Sequence, residues 1–406
     1  MKVYSVDAKT NCTGIQNLNI GLVTETYAPE VNGVAMTLSR LVTGLCTNGH
    51  KIEIYHPAQS KKDKPVTRNN IREVPMPGMP IPGYHEMHFG FPAGKFFRKQ
   101  WQQSRPDVLY VATEGPLGAS AIKTALKLDI PVISGFHTNF HTYSNHYRLG
   151  WFAPVILAYL RRLHNKTRMT LVPTRLLADD LHNHGFNNVE VMQRGVDTCL
   201  FNPERRSKEF RNKWGADEED IVCIYVGRIA AEKNIQTAVD AVTALSAHYN
   251  IRFVLVGDGP LREKLESKHP EFIFCGTRLG EDLAMHYASA DILLFPSRTE
   301  TFGNVVTEAM ASGLATVAYD EAAAHEHVTN WQNGVLADDE PSQSFTSVAM
   351  RLCKQPELIR DIGQNASQYT MQLGWPAIVS RFESLLHNTC ANNVSMKTEH
   401  EYSSGV

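Results

Sequence analysis

No apolar run in these 406 residues approaches the roughly 18 that a membrane-crossing helix needs. The opening stretch, Met1 to Asn19, has no apolar core of the kind a secretory signal carries, and is read as a short loose extension. No two cysteines form a C-x-x-C pair; the seven, at 12, 46, 199, 223, 275, 353 and 390, are odd in number and scattered. That pattern argues against a disulfide framework and a zinc site, and predicts reduced thiols in a cytoplasmic protein. No nucleic-acid-binding motif is present either, and the acidic second half would repel a phosphate backbone.

What the chain does have is a charge asymmetry hidden by a net charge of −2. Residues 1–195 carry 22 Lys and Arg against 13 Asp and Glu, a balance of +9, and residues 196–406 carry 18 against 29, a balance of −11. A basic half beside an acidic half points to a partner met by the first half alone, to an anionic acceptor, or to contact between the halves. With 43% apolar and 20% charged residues, the length suits two globular domains.

The order of elements supports that division. Asn19–Thr24 reads as a strand, Glu25–Gly33 as its loop, Val34 to about Asn48 as a helix ended by Gly49, and Lys51–His56 as a second strand. Strands at Asp107–Val111, Pro131–Gly135, Met169–Pro173 and Val189–Met192 continue the rhythm of a doubly wound parallel sheet. Residues 57–105 are expected to be irregular. Within them Phe89–Trp101 interleaves aromatics with Lys and Arg, a pattern that fits either an anionic bilayer surface or an amphipathic helix buried in its own domain. Tyr147–Lys166, with Arg148, Trp151 and Phe152, is a second such segment. After a charged linker over 204–220, the strand–loop–helix rhythm restarts at Ile221–Val226.

Four stretches carry chemistry. In the first, strand Asp291–Ser297 leads into Glu300-Thr-Phe-Gly-Asn-Val-Val-Thr-Glu308, and Gly313 stops the helix that follows. Glu300 is thereby placed at a strand's C-terminal end and Glu308 about two turns into the helix, roughly 10 Å away. The backbone of Thr301, Phe302 and Gly303 offers free N–H groups at a helix start, where an anion is favoured. The second stretch follows strand Ile221–Val226 and sets Arg228 and Lys233 five residues apart, a planar fork and a point charge that both suit phosphate oxygens. The third is His137, delivered by the strand Pro131–Gly135 to the edge where open α/β sheets bind ligands. The fourth is Gly33, which lets backbone approach a ligand at a helix start. Gly257-Asp-Gly-Pro260 reads as a structural turn, and Arg278 follows a further strand.

These stretches resemble, in the same order and over residues 19–388, the retaining nucleotide-sugar glycosyltransferases of family 4. The matches are Glu300-x7-Glu308, Gly227-Arg228-x3-Glu232-Lys233-Asn234, Gly257-x-Gly-Pro260, Arg194-Gly-Val-Asp197 and the opening T-E-T-Y-x-P-x-x-N-G-V. That opening is similar to the one in bacterial GDP-mannose-dependent and diacylglycerol-glycosylating members. Two departures stand out: Asn32-Gly33 replaces the usual Gly-Gly, and Ala322-Ala-Ala-His-Glu326 has alanines where relatives often have glycines. The Lys-x-Gly-Gly of bacterial glycogen synthases is absent, which counts against polymer elongation.

The resemblance implies the GT-B architecture, two Rossmann-like doubly wound α/β domains facing across a cleft. Residues 1–18 are then an extension, 19–195 the acceptor domain, 196–374 the donor domain, 375–388 a helix crossing back, and 389–406 a disordered tail. It implies that Arg228, Lys233 and the amides of Thr301–Gly303 hold the donor diphosphate, Glu300 the sugar hydroxyls and Glu308 the ribose. His137 and Gly33 face the donor from the first domain, and Arg278 lies near the base. Neither cofactor nor metal is expected. The partners implied are a nucleotide-sugar donor, with GDP-mannose ahead of UDP-glucose, and a lipid or glycan acceptor reached by peripheral contact with the inner membrane face. A soluble saccharide acceptor, an epimerase on the same architecture and a non-catalytic sugar-nucleotide sensor remain as alternatives.

Overall fold

The computed structural model describes residues 17–30, 32–60, 63–81, 84–137 and 153–403. Expectations for the extension before residue 17 and for Arg148, Trp151 and Phe152 lie outside them.

Ten strands belong to the first half: β1 (Asn19–Val23), β2 (Lys51–Pro57), β3 (Val66–Arg68), β4 (Ile71–Met76), β5 (Gly78–Ile81), β6 (Tyr84–Gly90), β7 (Val108–Val111), β8 (Val132–Gly135), β9 (Met169–Val172) and β10 (Val189–Val191). Eight of them form one sheet in the order β10-β9-β8-β7-β1-β2-β4-β3, parallel except for the antiparallel edge strand β3. The second half contributes β11 (Ile221–Val226), β12 (Ile251–Val256), β13 (Ile273–Gly276), β14 (Ile292–Phe295), β15 (Ala315–Tyr319) and β16 (Val335–Ala337). Their order is β13-β12-β11-β14-β15-β16, parallel throughout. In each sheet the strand order reverses once, between β1 and β7 and between β11 and β14. Loops at such a reversal diverge to opposite faces and leave a crevice at the strands' carboxyl ends.

Both sheets are covered on both faces at their centres, so β7, β11 and β14 are apolar without alternation and buried throughout. Val222, Ile224 and Val226 pack on one side with Leu293, Phe302 and Met310, and Cys223 and Tyr225 pack on the other with Val239 and Leu294. The helix Gly33–Thr47 repeats apolar residues at 35, 38, 41, 42 and 45, which line one stripe and are all buried. Asn32 starts it by accepting from Val34 N (3.1 Å) and Ala35 N (2.9 Å).

Residues 57–105, expected to be irregular, instead build β3, β4 and the β5–β6 hairpin, while the amphipathic-helix reading of Phe89–Trp101 is met by a helix over Gly94–Gln103. Prolines at 75, 77 and 80 mask these strands in the sequence, and β4 is held by parallel pairing to β2, a partner no local pattern reveals. Phe97 and Trp101 of the helix stack at 4.7 Å in the domain core, with Trp101 Nε1 donating to Tyr55 Oη (3.2 Å), whereas Phe91 and Phe96 are exposed.

The second correction concerns the C-terminus. The helix expected to end near His387, ahead of a disordered tail, runs from Trp375 to Ser403. No Pro or Gly interrupts residues 377–403, so nothing in the backbone chemistry stops it. Its first turns do cross back: Ile378, Val379, Phe382 and Leu386 join Leu38, Leu41 and Leu45 in the first domain's core. Gly44 allows the close approach, since a Cβ there would lie 2.5 Å from Val379. Among the described residues no helix is long and apolar enough to cross a membrane.

Candidate active site

The two loops at the reversal in the second sheet carry the residues singled out in the sequence. After β11 the chain turns through Gly227 and Arg228 to Lys233, and Asn234 takes a left-handed conformation (φ 55°) before the next helix. The turn is braced from beneath. A Cβ on Gly257 would lie 1.9 Å from the Gly227 carbonyl oxygen and one on Gly259 2.4 Å from that of Ile229, so this glycine turn is structural, as expected. After β14 the chain passes Glu300 and reaches Gly303 (φ 85°), which opens the helix Asn304–Ala311 without a side-chain cap. Gly313 (φ 82°) follows its end.

Lys233 Nζ donates to Glu300 Oε1 at 2.6 Å, so the cation and the leading carboxylate meet across the two loops. Arg228 Nη1 sits 2.6 Å from Glu232 Oε1, and the Glu232 carbonyl accepts from Thr299 Oγ1 (3.1 Å), which ties the loops together a second time. Glu308 lies deeper. Burial pushes its carboxyl up to about 7, against the opposing pull of the Tyr287 hydroxyl at 3.1 Å from Oε2. The phenyl ring of Phe302 is core (1% exposed), so only its backbone is placed to serve a ligand. Arg278 stands apart; it bonds to the Cys275 carbonyl and to Asp282.

The first domain faces this group directly. The His137 carbonyl accepts from Thr301 Oγ1 at 2.9 Å. Its imidazole is buried and held down to about 3, first by burial and then by the Arg194 charge, so it is a neutral ring at working pH. Nε2 is 3.4 Å from Tyr110 Oη, and Nδ1 has no partner among the described residues. Gly33 reaches the second domain: a Cβ there would lie 2.8 Å from Arg194 Nη1 and 3.6 Å from Asn304 Nδ2. Glu25, just after β1, accepts from Gly90 N and Leu117 N, and burial raises its carboxyl pKa. Glu326 bridges the domains by accepting from Arg175 N and, at 3.1 Å, Gln193 Nε2. Ala322 takes φ 50°, a conformation natural to glycine and strained for alanine.

Arg194, Tyr287, Asn304 and Glu25 escape sequence reasoning as members of this group. Arg194 is visible only as part of the interdomain segment. Tyr287 carries no signal at all, because its contact with Glu308 depends on how two helices pack. Glu25 and Asn304 lie inside quoted stretches, and nothing local marks them.

Comparison with known proteins bears on the family and the fold. The family model for group 1 glycosyl transferases matches residues 206–369, and the glycosyltransferase family 4 model matches residues 31–199. A GDP-mannose-dependent alpha-mannosyltransferase of Corynebacterium glutamicum is 30% identical over 325 residues, covering 80% of this chain and 78% of that protein. An alpha-monoglucosyldiacylglycerol synthase of Streptococcus pneumoniae is 29% identical over 338 residues, 79% of this chain and 75% of that one. Among solved structures, sucrose-phosphate synthase (tll1590) from Thermosynechococcus elongatus superposes with a TM-score of 0.75 at 17% identity, covering 93% of this chain and 100% of the other. At that identity the likeness establishes the shared architecture, two Rossmann-like domains in the GT-B arrangement.

Proposed function

The chain belongs to the group 1, family 4 glycosyltransferases and uses a nucleotide sugar; from that premise we propose a retaining hexosyl transfer, from GDP-mannose in preference to UDP-glucose, to a hydroxyl of a lipid-linked or glycolipid acceptor at the cytoplasmic membrane face. The observation that carries the site assignment is the meeting of Lys233 and Glu300 at the uncapped start of the helix Asn304–Ala311, against His137 of the opposite domain.

In this reading the donor diphosphate takes Lys233, Arg228 and the amides of Thr301–Gly303, and Arg228 turns from Glu232 to do so. Glu300, released by Lys233, accepts from the sugar hydroxyls, and Glu308 accepts from the ribose. The bond between the anomeric carbon and the leaving phosphate oxygen breaks, the acceptor oxygen bonds that carbon on the same face, and the acceptor's proton passes to the leaving oxygen. Two side-chain cations and a helix start stabilise the charge gathering on the diphosphate, so the reading calls for no metal. The neutral His137 ring serves as a hydrogen-bonding wall for the sugar and not as a charge. Arg278, at the β13 loop, is assigned to the base.

The lipid acceptor is supported by the similarity to an alpha-monoglucosyldiacylglycerol synthase and by the surface of the first domain. Lys95, Arg98, Lys123 and Lys127 line an open cavity of about 600 Å³ together with Glu114 and Tyr159. Phe91, Phe96 and Tyr159 are exposed beside it, a mixture of aromatics and cations suited to an anionic headgroup layer. The test is nucleoside-diphosphate release from GDP-mannose and UDP-glucose, with and without diacylglycerol-containing anionic vesicles, followed by assignment of the product anomer. Release from GDP-mannose that rises with vesicles and yields the α-anomer is expected. Release that rises only with soluble saccharides would remove the lipid acceptor from the reading, and a β-product would remove retention.

A further inference from the structure

Arg194 is a buried cation without an adequate partner. The residue is 6% exposed, its Nε has no hydrogen-bond partner, and its hydrogen bond from Nη1 to Asn304 Oδ1 is long at 3.4 Å. Among the described residues no carboxylate forms an ion pair with it, and the Phe302 ring lies 5.6 Å away. Burial lowers its pKa to about 10, against the opposing charges of Tyr110 and Glu300. Desolvating a guanidinium this far without pairing it is expensive, and an unsatisfied group of this kind calls for a missing partner.

Its surroundings favour an anion. Gly33 begins the helix Gly33–Thr47, and the Asn32 cap serves the amides of Val34 and Ala35 while making no bond to that of Gly33. On the opposite side the helix Asn304–Ala311 starts with no side-chain cap. Arg194 thus lies between two helix N-termini, one from each domain, and all three present positive charge to the same place. The absent Cβ of Gly33 is what leaves the guanidinium its position.

We propose that Arg194, with the starts of the helices Gly33–Thr47 and Asn304–Ala311, forms a phosphate seat shared between the domains, a contact additional to those of Arg228 and Lys233. This rests on the reading of the cleft as a nucleotide-sugar site. The phosphate comes from the donor's diphosphate or from a phosphate carried by the acceptor, and the two sources can be told apart.

The experiment titrates the full chain with GDP and UDP, and with guanosine and uridine, for wild type, Arg194→Met, Arg194→Lys and Arg228→Ala. Transfer to vesicle-borne diacylglycerol and phosphatidylglycerol is measured alongside. For a donor phosphate, Arg194→Met weakens nucleoside-diphosphate binding at least tenfold, leaves nucleoside binding unchanged, and is partly rescued by Arg194→Lys. For an acceptor phosphate, diphosphate affinity holds while the KM for phosphatidylglycerol, and not for diacylglycerol, rises tenfold. In either case the unliganded Arg194→Met chain melts no lower than wild type, because an unpaired buried charge has been removed; a purely structural arginine would lower it. Unchanged diphosphate affinity and unchanged KM in Arg194→Met overturn the proposal. If Arg228→Ala is weakened in that case, the donor site stands and Arg194 alone is excluded. If Arg228→Ala is also unaffected, the reading of the cleft falls with it.

Discussion

The Tyr287 hydroxyl donates a 3.1 Å hydrogen bond to Glu308 Oε2, with both residues buried. Burial holds the Glu308 carboxyl near 7, above its ordinary 4.5. The folded chain therefore binds this proton more tightly than the unfolded one. The stability so gained is complete below pH 4.5 and is lost as pH rises through 7, a difference on the order of 3 kcal/mol. Ribose hydroxyls donate best to the ionised form, so nucleotide binding follows the opposite trend. Between pH 6 and 8 the unliganded melting temperature should fall while nucleoside-diphosphate affinity rises several-fold, and Glu308→Gln should flatten both. Calorimetry and titration across that range check this, and parallel slopes in the variant would refute the assignment.

Glu300 and Lys233 are each other's partners in the ligand-free chain, and the proposed chemistry separates them. Glu300→Gln should cut turnover about 100-fold or more while leaving nucleoside-diphosphate affinity within a few-fold, because only the sugar loses its acceptor. Lys233→Ala should weaken diphosphate binding and turnover together. Equal losses of binding in the two variants would show that Glu300 does not act on the sugar.

Gly33 is predicted to tolerate no side chain for a reason outside its own helix. A methyl group at this position meets Arg194 Nη1 at 2.8 Å, and the guanidinium must move. Gly33→Ala should fold with a nearly unchanged melting temperature, since alanine suits a helix start, yet lose at least tenfold in turnover. Wild-type turnover in this variant would mean that the position of Arg194 is unimportant.

Phe382 lies in the last helix but packs 5.0 Å, edge to face, against Tyr110 of β7. Phe382→Ala should cost about 3–5 kcal/mol. Hydrogen exchange followed by mass spectrometry should place the loss in β1, β2 and β7 and leave the second sheet unaffected. His50, whose Nδ1 accepts from Leu18 N, donates from Nε2 to Glu383 at 2.8 Å and clamps the same helix, so His50→Ala should act in the same region.

Punctuation by glycine, proline and capping residues makes most of this fold readable. Strand Asp291–Ser297, Gly303 and Gly313 bracket the helix Asn304–Ala311 almost to the residue, and Thr174 caps its helix through Leu177 N. The first-half hairpin and edge strands stay hidden because prolines break their pattern and their partners are distant in sequence. The C-terminal helix beyond His387 is hidden because a polar composition reads as disorder even where no residue stops a helix. In the site, residues on one loop are legible, such as Glu300 with Thr301–Gly303. Arg194 and Tyr287 are not, since their importance arises only when separate elements pack.

The second domain leaves and re-enters the first at neighbouring points: Val196 pairs with Gly374, and Val196 N donates to the Leu373 carbonyl at 3.0 Å. Topologically, residues 197–373 are a cassette whose two ends touch, spliced into a host completed only by the chain's last helix. A host cut after residue 195 would lose the Ile378–Leu386 face of its own core, whereas the cassette could be lifted out and replaced by another with the same end spacing. Exchange of the second domain under a constant first domain is thereby a matter of two adjacent junctions.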